Sequence, residues 1–410
     1  MKTLRQATAF VHNLGADRLK FLAVVTGGHF AIHWFQQLFP VVLPSVKAGL
    51  GLSDVEAGAL ASARQLVQGT LDLPSGILAD SLARRRALIL ASALVSMGAG
   101  YLFFGWMTVF AGALVGAGLI GLGTALWHPA AAAALSHRFP ELRATALSIH
   151  GMGATVSDTL TPLVAGALLV GFSWNGFLGF QLLPAILVAL VVWRGLLRVL
   201  PAAGASSGQP AQLRDLADLA RNRVFLGLTA AKALMQMGRL VVLTFLPIYL
   251  QEHLNYSPFE LGIYITLLHA MGTVSQPILG YLSDHFGRKA VMVPSFAALA
   301  ILFFLLALVE PGLPLGLVVT AIGLFFYTLM NITFAAVMDV AGAKIQASSY
   351  GLTSLLTEVV VMPTPMIAGL LIGIYGIRVS FMLAGVFLGL AALVTAPLDL
   401  YKGSRTRPRE

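Results

Sequence analysis

Residues 76–86 read GILADSLARRR and residues 280–290 read GYLSDHFGRKA, so one short polar motif occurs twice, 204 positions apart, in a chain of 410 residues. Each copy follows one long apolar stretch and precedes another. A motif repeated at about half the chain length, in the same surroundings, implies a duplicated unit and a fold of two equivalent halves.

The solvent of that fold follows from the charge. Only 10% of the residues are Asp, Glu, Lys or Arg and 58% are hydrophobic, whereas a soluble domain carries about 25% charged residues. There is too little polar surface to cover a water-exposed globule, so lipid is the natural surrounding. The formal net charge of +9 does not indicate nucleic acid, because the basic residues lie in short segments between apolar spans and form no single patch. The chain has no cysteine, which excludes disulfides, thiolate metal sites and cysteine catalysis. The first apolar run begins near Phe21 and continues too long for a cleavable signal.

A helix crosses the hydrocarbon core with about 20 apolar residues. Twelve such spans are expected, at roughly 20–46, 54–79, 87–107, 109–136, 143–170, 175–198, 224–250, 258–283, 290–309, 313–338, 347–373 and 377–398. Residues 201–223, PAAGASSGQPAQLRDLADLARNR, read as a linker whose QLRDLADLAR portion suits a short amphipathic surface helix. The expected fold is an all-α integral membrane protein, with six-helix bundles at 1–200 and 224–410 joined by this linker. Placing both termini in the cytoplasm puts 21 of the 26 Lys and Arg on that side. Lys47 and Arg378 fall outside, and Arg64, Lys232 and Arg239 lie within spans. That asymmetry predicts a multi-pass protein of the cytoplasmic (inner) membrane, with the linker and the tail from Lys402 to Arg409 inside.

The second copy of the motif, Gly280, Leu282, Asp284, Gly287, Arg288 and Lys289, follows Gly-x-Leu-x-Asp-x-x-Gly-Arg-Lys. The first keeps Gly76, Leu78, Asp80, Arg84 and Arg85 and has Ala83 at the second glycine position. Glycine permits close helix approach and a tight turn, and the aspartate is suited to pair with arginine or to cap a helix. The pattern resembles the loop between the second and third helices of the major facilitator superfamily, and the resemblance covers the whole chain. It implies pseudo-symmetric bundles, a central cavity lined by the first, fourth, seventh and tenth helices, alternating access and a monomer. It also implies a conformational latch made of Gly76, Asp80, Arg84, Arg85, Gly280, Asp284, Gly287, Arg288 and Lys289.

Within that superfamily, GGHFAIHWFQQLFPVVLP at 27–44 and GLGTALWHPAAAAALSHRFPELRATALSIHGMG at 121–153 resemble the fosmidomycin-resistance-type exporters. Trp127, His128, Pro129 and the run Arg143, Ala144, Thr145, Ala146 carry most of this likeness. It implies a proton-coupled efflux antiporter for small organic compounds, hence antibiotic resistance. The fifth span departs from the drug-antiporter pattern Gly-x-x-x-Gly-Pro-x-x-Gly-Gly. It has Ser157, Thr161, Pro162, Ala165 and Gly166 there, and Ala117 stands where the fourth helix of such antiporters usually has arginine.

A charged side chain at the bilayer centre costs about 2.5–3.5 kcal/mol, so each one calls for a reason. The polar set within the spans is His29, His33, Arg64, Asp72, His128, His150, Asp158, Lys232, Arg239, His269 and Glu358. Shifted by 204 positions, His29 falls beside Lys232, His33 beside Gln236, Arg64 beside His269 and His128 beside Asn331, so polar positions recur at similar depths in both halves. Helical spacing puts His29, His33, Gln36 and Gln37 on one face, Lys232, Gln236 and Arg239 on another, and Arg64, Gln68 and Asp72 on a stripe of the second helix. His29, His33, Gln36, Arg64, His128, Lys232, Gln236, Arg239 and Asn331 are the candidate substrate-binding residues. Fixed positive charge from Lys232 and Arg239 suits an anion such as a phosphonate or carboxylate. For Arg64 with Asp72, and for His150 and His269, the competing role is purely structural pairing.

Proton coupling needs a group that titrates during the cycle. An apolar bundle favours the neutral acid, and an approaching cation favours the carboxylate. Asp158, Glu358 and Asp72 are the candidates, with the histidines His33 and His128 as rivals. The pair His29 and His33, with His128 across the cavity, also suits a transition metal, as in a metal-ion or siderophore exporter. The absence of cysteine and the nearby Lys and Arg weigh against that, so neither metal nor cofactor is expected. No nucleotide loop, Gly-x-Ser-x-Gly elbow or His-Glu-x-x-His motif is present, so no enzyme is expected and energy should come from an ion gradient. A membrane sensor without net flux is the remaining alternative. Pro40 and Pro44 in the first span, and Pro363 and Pro365 in the eleventh, are expected to bend their helices.

Overall fold

The computed structural model describes residues 15–82, 85–197, 218–341 and 346–400. Arg84, the side chain of Asp80, residues 201–217 of the linker and the tail from Lys402 to Arg409 lie outside the described residues. Every regular element among those described is helical: α1 (Ala16–Leu50), α2 (Asp54–Ser81), α3 (Arg86–Trp106), α4 (Phe110–Arg138), α5 (Arg143–Gly171), α6 (Trp174–Phe180), α7 (Leu182–Leu196), α8 (Arg223–Ile248), α9 (Pro258–Phe286), α10 (Arg288–Leu308), α11 (Leu313–Phe326), α12 (Thr328–Ala341), α13 (Gln346–Val361), α14 (Thr364–Tyr375) and α15 (Arg378–Thr395). The twelve expected spans are all present, three of them divided: the sixth at Gln181, the tenth at Tyr327 and the eleventh at Met362–Pro363. Among the described residues nine helical stretches are long and apolar enough to cross a bilayer. The other three, α1, α2 and α9, are 35, 28 and 29 residues long. They fall short because they carry so many of the polar side chains noted above.

The prolines behave differently from one another. α1 runs unbroken through Pro40 and Pro44, whereas the eleventh span is interrupted at Pro363, one turn after Glu358. Proline removes a backbone donor in both places. Only the second leaves a division, with Met362 N–H still bonded to the Glu358 carbonyl at 3.0 Å.

The starts of α2 and α9 are fixed by equivalent capping boxes. Ser53 Oγ accepts from the Glu56 amide at 3.3 Å while the Glu56 carboxylate accepts from the Ser53 amide at 2.8 Å. Ser257 and Glu260 repeat the arrangement at 3.2 and 2.8 Å. The two boxes are 204 positions apart, so the duplication reaches the level of individual hydrogen bonds. Such reciprocal capping satisfies helix donors that would otherwise be orphaned.

In the first half α1 packs on α5, α2 on α4, and α3 on α4 and α7; in the second, α8 and α10 pack on α15 and α9 on α11. The halves meet where α5 crosses α9 and where α2 crosses α14. Glycine makes both crossings possible. A Cβ at Gly262 would strike the Pro162 carbonyl, one at Gly166 the Pro258 carbonyl, and one at Gly58 the Pro365 carbonyl. Gly58 and Gly262 are again 204 positions apart. Pro162 and Gly166, the two drug-antiporter positions retained in the fifth span, are thus the two that touch the opposite half. At this same end Lys47 is paired with Asp54 at 3.1 Å and with Glu252 across the halves.

At the opposite end, where the repeated motifs lie, the halves part. A Cβ at Gly280 would meet open space, and one at Gly76 only Pro129 of its own half. Leu73, Ile77, Val274, Ile278 and Val359 are each more than half exposed. The expectation that the motif glycines serve close helix approach is therefore corrected: in this conformation the approaching glycines are Gly58, Gly166 and Gly262 at the other end. Gly287 has a different role, since its φ of 96° lies in the region glycine alone adopts readily. Arg288 of the second copy pairs within its own half. Arg288 bonds Asp284, Asp339 at 3.0 Å and Ser283 at 3.1 Å, tying the loop to the end of α12.

Because the chain has no cysteine, spin labels on Ala48→Cys and His253→Cys report the closed end cleanly. Gly262→Leu is expected to lengthen the distance between them markedly. Lys47→Ala should lengthen it less, because a partly exposed ion pair is worth at most about 1 kcal/mol. An unchanged distance distribution in Gly262→Leu would contradict this packing.

Candidate functional site

The buried polar side chains fall into three groups, and small residues decide where each forms. The first lies among α1, α4 and α5. The Trp127 indole occupies the space a Cβ at Gly28 would need, and a Cβ at Gly153 would meet the Thr26 carbonyl at 2.5 Å. These contacts seat α4 and α5 on α1 and bring four imidazoles together. His29 stacks on His150 with ring centroids 3.8 Å apart and meets His33 and His128 edge-on at 4.7 and 5.5 Å. The Nδ1 atoms of His29, His33 and His128 all have partners: the His150 carbonyl at 2.9 Å, Asp158 Oδ1 at 2.8 Å and the Thr124 carbonyl at 2.9 Å. His29 is buried, and its Nε2 has no hydrogen-bond partner.

The second group lies where α1 and α5 face α8, α9 and the tenth span. Asp158 accepts from Gln37 at 2.9 Å as well as from His33, and it is within electrostatic reach of His269, Arg239 and Tyr327 in the other half. Tyr327 Oη and His269 Nε2 are 3.2 Å apart. The Arg239 guanidinium lies 4.6 and 4.8 Å from the ring centroids of Phe326 and Tyr327 and donates to Gln236 Oε1 at 2.8 Å. Arg64 lies 4.9 Å from the Phe39 ring centroid and makes a long 3.4 Å contact with the Gln36 carbonyl. Gln36 itself donates to Thr124 at 3.2 Å. Arg64 and Arg239 share Tyr327 as an electrostatic neighbour. Both are buried on their guanidinium side, neither reaches ion-pair distance of a carboxylate among the described residues, and the Nε of each is without a hydrogen-bond partner. Removing a cation from water without a counter-charge is costly, so this is an electropositive site.

The third group joins the second, seventh and eleventh spans. Gln65 donates to Glu358 at 2.5 Å across the halves, and Asp72, Lys232 and Glu358 act on one another electrostatically. Gly69 makes room for this, since a Cβ there would lie 2.7 Å from Glu358 Cβ.

The expected stripe Arg64, Gln68, Asp72 therefore does not act as a unit. Eight helical residues span about 12 Å, so Arg64 belongs to one group and Asp72 to another. Asn331 also stands apart: it is exposed and bonds Gln276 at 3.3 Å. The expected nearness of Lys and Arg to the histidines is not seen at His29 and His128. The charged or titratable groups acting on His29 and His128 are other histidines and Asp158. Sequence reasoning missed Tyr327, Gln65 and Thr124. A tyrosine in an apolar run reads as packing, and Gln65 lies one position off the expected stripe.

Comparison with known proteins agrees with this architecture. The sequence model of the Major Facilitator Superfamily matches residues 25–362 and 228–410. The chain is 25% identical over 267 residues to an uncharacterized MFS-type transporter of Mycobacterium tuberculosis, a match covering 63% of this chain and 60% of that protein. It is 22% identical over 347 residues to the MFS-type transporter YfnC of Bacillus subtilis, covering 84% of each. Over 167 residues it is 32% identical to the multi-drug resistance efflux pump PmrA of Streptococcus pneumoniae, covering 38% of this chain and 39% of the pump. Among solved structures, a bacterial homolog of the human lysosomal transporter Spinster, inward-facing and unoccupied, superposes with a TM-score of 0.77. It is 18% identical, over 93% of this chain and 97% of that one.

Proposed function

Since the chain belongs to the Major Facilitator Superfamily, we propose that it is a proton-coupled secondary transporter that exports a small organic anion by alternating access. The observation that carries the anion assignment is the pair Arg64 and Arg239, each with a buried Nε that has no partner and, among the described residues, no carboxylate at ion-pair distance. An anionic group would supply the missing counter-charge, and a guanidinium fork matches a phosphonate or carboxylate bidentately. Phe39, Phe326 and Tyr327 would hold the guanidinium planes in place by cation–π contact. The likeness to PmrA and to the fosmidomycin-resistance-type exporters supports export.

The proton belongs to the third group in this reading. Two carboxylates, Asp72 and Glu358, face one lysine, Lys232, in an apolar bundle. Both ionised would leave a net negative charge in a low dielectric, so one proton is readily held there. Asp158, already engaged by His33 and Gln37, acts instead as a positioning residue. Residues 1–200 and 224–410 are the rocking units, with the linker and both termini on the cytoplasmic side. The closed end with Lys47 then faces outward and the cavity opens inward, ready to load. The divided helices at Tyr327 and Pro363 adjoin Arg239 and Glu358, which suits coupling of cargo and proton to the movement.

The test is substrate-dependent proton movement in proteoliposomes, with fosmidomycin and a panel of small organic anions and cations. An anion-triggered proton flux is expected. Losing a hydrogen bond to a charged group costs about 1.5–3 kcal/mol, so Arg239→Ala should raise KM about 10- to 150-fold. Glu358→Gln should abolish proton movement and spare anion binding. A flux triggered by cations alone would overturn the anion assignment, and wild-type proton coupling in both Glu358→Gln and Asp72→Asn would overturn the proton site.

A further inference from the structure

We propose that His29, His33 and His128 form a binding site for a transition-metal dication of the zinc, cobalt or nickel class, within the first half of the chain. One ring nitrogen from each lies within 4.8 Å of the other two. A tetrahedral ion with bonds of about 2.1 Å holds its nitrogens about 3.4 Å apart. Closing the site therefore takes ring movements of about 1 Å, within the reach of side-chain rotation.

The orientation of the rings is the stronger argument. A metal-bound histidine characteristically donates its second N–H to a carboxylate or a backbone carbonyl, which fixes the tautomer and aims the lone pair of the other nitrogen. All three do so here. His29 Nδ1 lies 2.9 Å from the His150 carbonyl, His33 Nδ1 2.8 Å from Asp158, and His128 Nδ1 2.9 Å from the Thr124 carbonyl. Each Nδ1 faces an acceptor, so in the neutral ring the free lone pair is on Nε2. His29 Nε2 is buried and has no hydrogen-bond partner, which is costly unless something binds there. A single dication would accept the three Nε2 lone pairs together.

Charge agrees with this assignment. Asp158 is the charged group other than histidine that acts on His128, and no Lys or Arg acts on His29 or His128. A dication would have the Asp158 carboxylate beside it through His33, and Arg239 acts on that same carboxylate from the other half. Imidazole donors select zinc, cobalt, nickel or copper over magnesium and calcium. Three protein ligands leave a fourth position for water or an anionic group. The assignment does not rest on the cargo reading.

The experiment uses the full chain, purified in detergent, with any affinity tag cleaved off and metals stripped by chelation. Co²⁺ serves as the probe, read by its visible absorption and by equilibrium dialysis. One Co²⁺ per chain is expected, displaced by Zn²⁺, with an absorption spectrum of nitrogen-rich, low-coordinate cobalt and with a rise in Tm on binding. His29→Ala and His128→Ala should each abolish the spectrum. Asp158→Asn should weaken binding about 10- to 100-fold. The pair His253→Gln and His285→Gln, on exposed histidines, should change nothing. The Tm of each variant without metal shows whether it is folded. No stoichiometric binding, or binding that persists in a folded His29→Ala or His128→Ala protein, would overturn the proposal. Arg239→Ala separates the two readings, because it should impair anion transport and leave Co²⁺ binding intact.

Discussion

The candidate site depends on two guanidinium groups, those of Arg64 and Arg239, held against aromatic rings inside the bundle. The effective penalty for burying an ion is several kcal/mol even after relaxation, and a cation–π contact returns only about 0.5–2 kcal/mol. Phe39, Phe326 and Tyr327 thus offset part of the cost of Arg64 and Arg239. Asp158 acts on Arg239 from beyond ion-pair distance, and among the described residues the Nε of each guanidinium has no hydrogen-bond partner. Under the proposed function, a site left electropositive in this way favours whatever conformation lets an anion reach it.

The conformation is set by something simpler, the absence of four side chains. Gly58, Gly166, Gly262 and Gly369 let α2 meet α14 and α5 meet α9 backbone to backbone at one end. Lys47 adds a pairing across the halves there. At the other end Gly76 and Gly280 meet no residue of the opposite half, and Arg288 turns to Asp284 and Asp339 of its own half. Two packed states of such a bundle would exchange one set of close glycine contacts for another.

Much of this was legible in the chain because lipid imposes a strict code. Twelve apolar runs give twelve spans, and the offset of 204 recurs in the capping serines Ser53 and Ser257 and in the crossing glycines Gly58 and Gly262. The histidine face of α1 was readable from helical spacing alone. What spacing does not reveal is depth across the interface. Asp72 and Arg64 lie on one stripe and serve different groups, and Glu358 finds its partner Gln65 nearly 300 residues away. Tyr327 was hidden in an apolar run because its role depends on where the tenth span divides, which no local pattern announces. Asn331, aligned with His128 by the repeat, lies exposed beside Gln276 because the two halves are similar in backbone and not in side-chain surroundings.

The most direct test of the account is equilibrium binding of radiolabelled fosmidomycin to the purified chain, with competing anions and cations, in the wild type and in Arg64→Gln and Arg239→Gln. The account predicts saturable binding that anionic compounds displace, that cationic compounds do not displace, and that each substitution weakens. Binding of cationic compounds that is unchanged or strengthened by removing either guanidinium would contradict it.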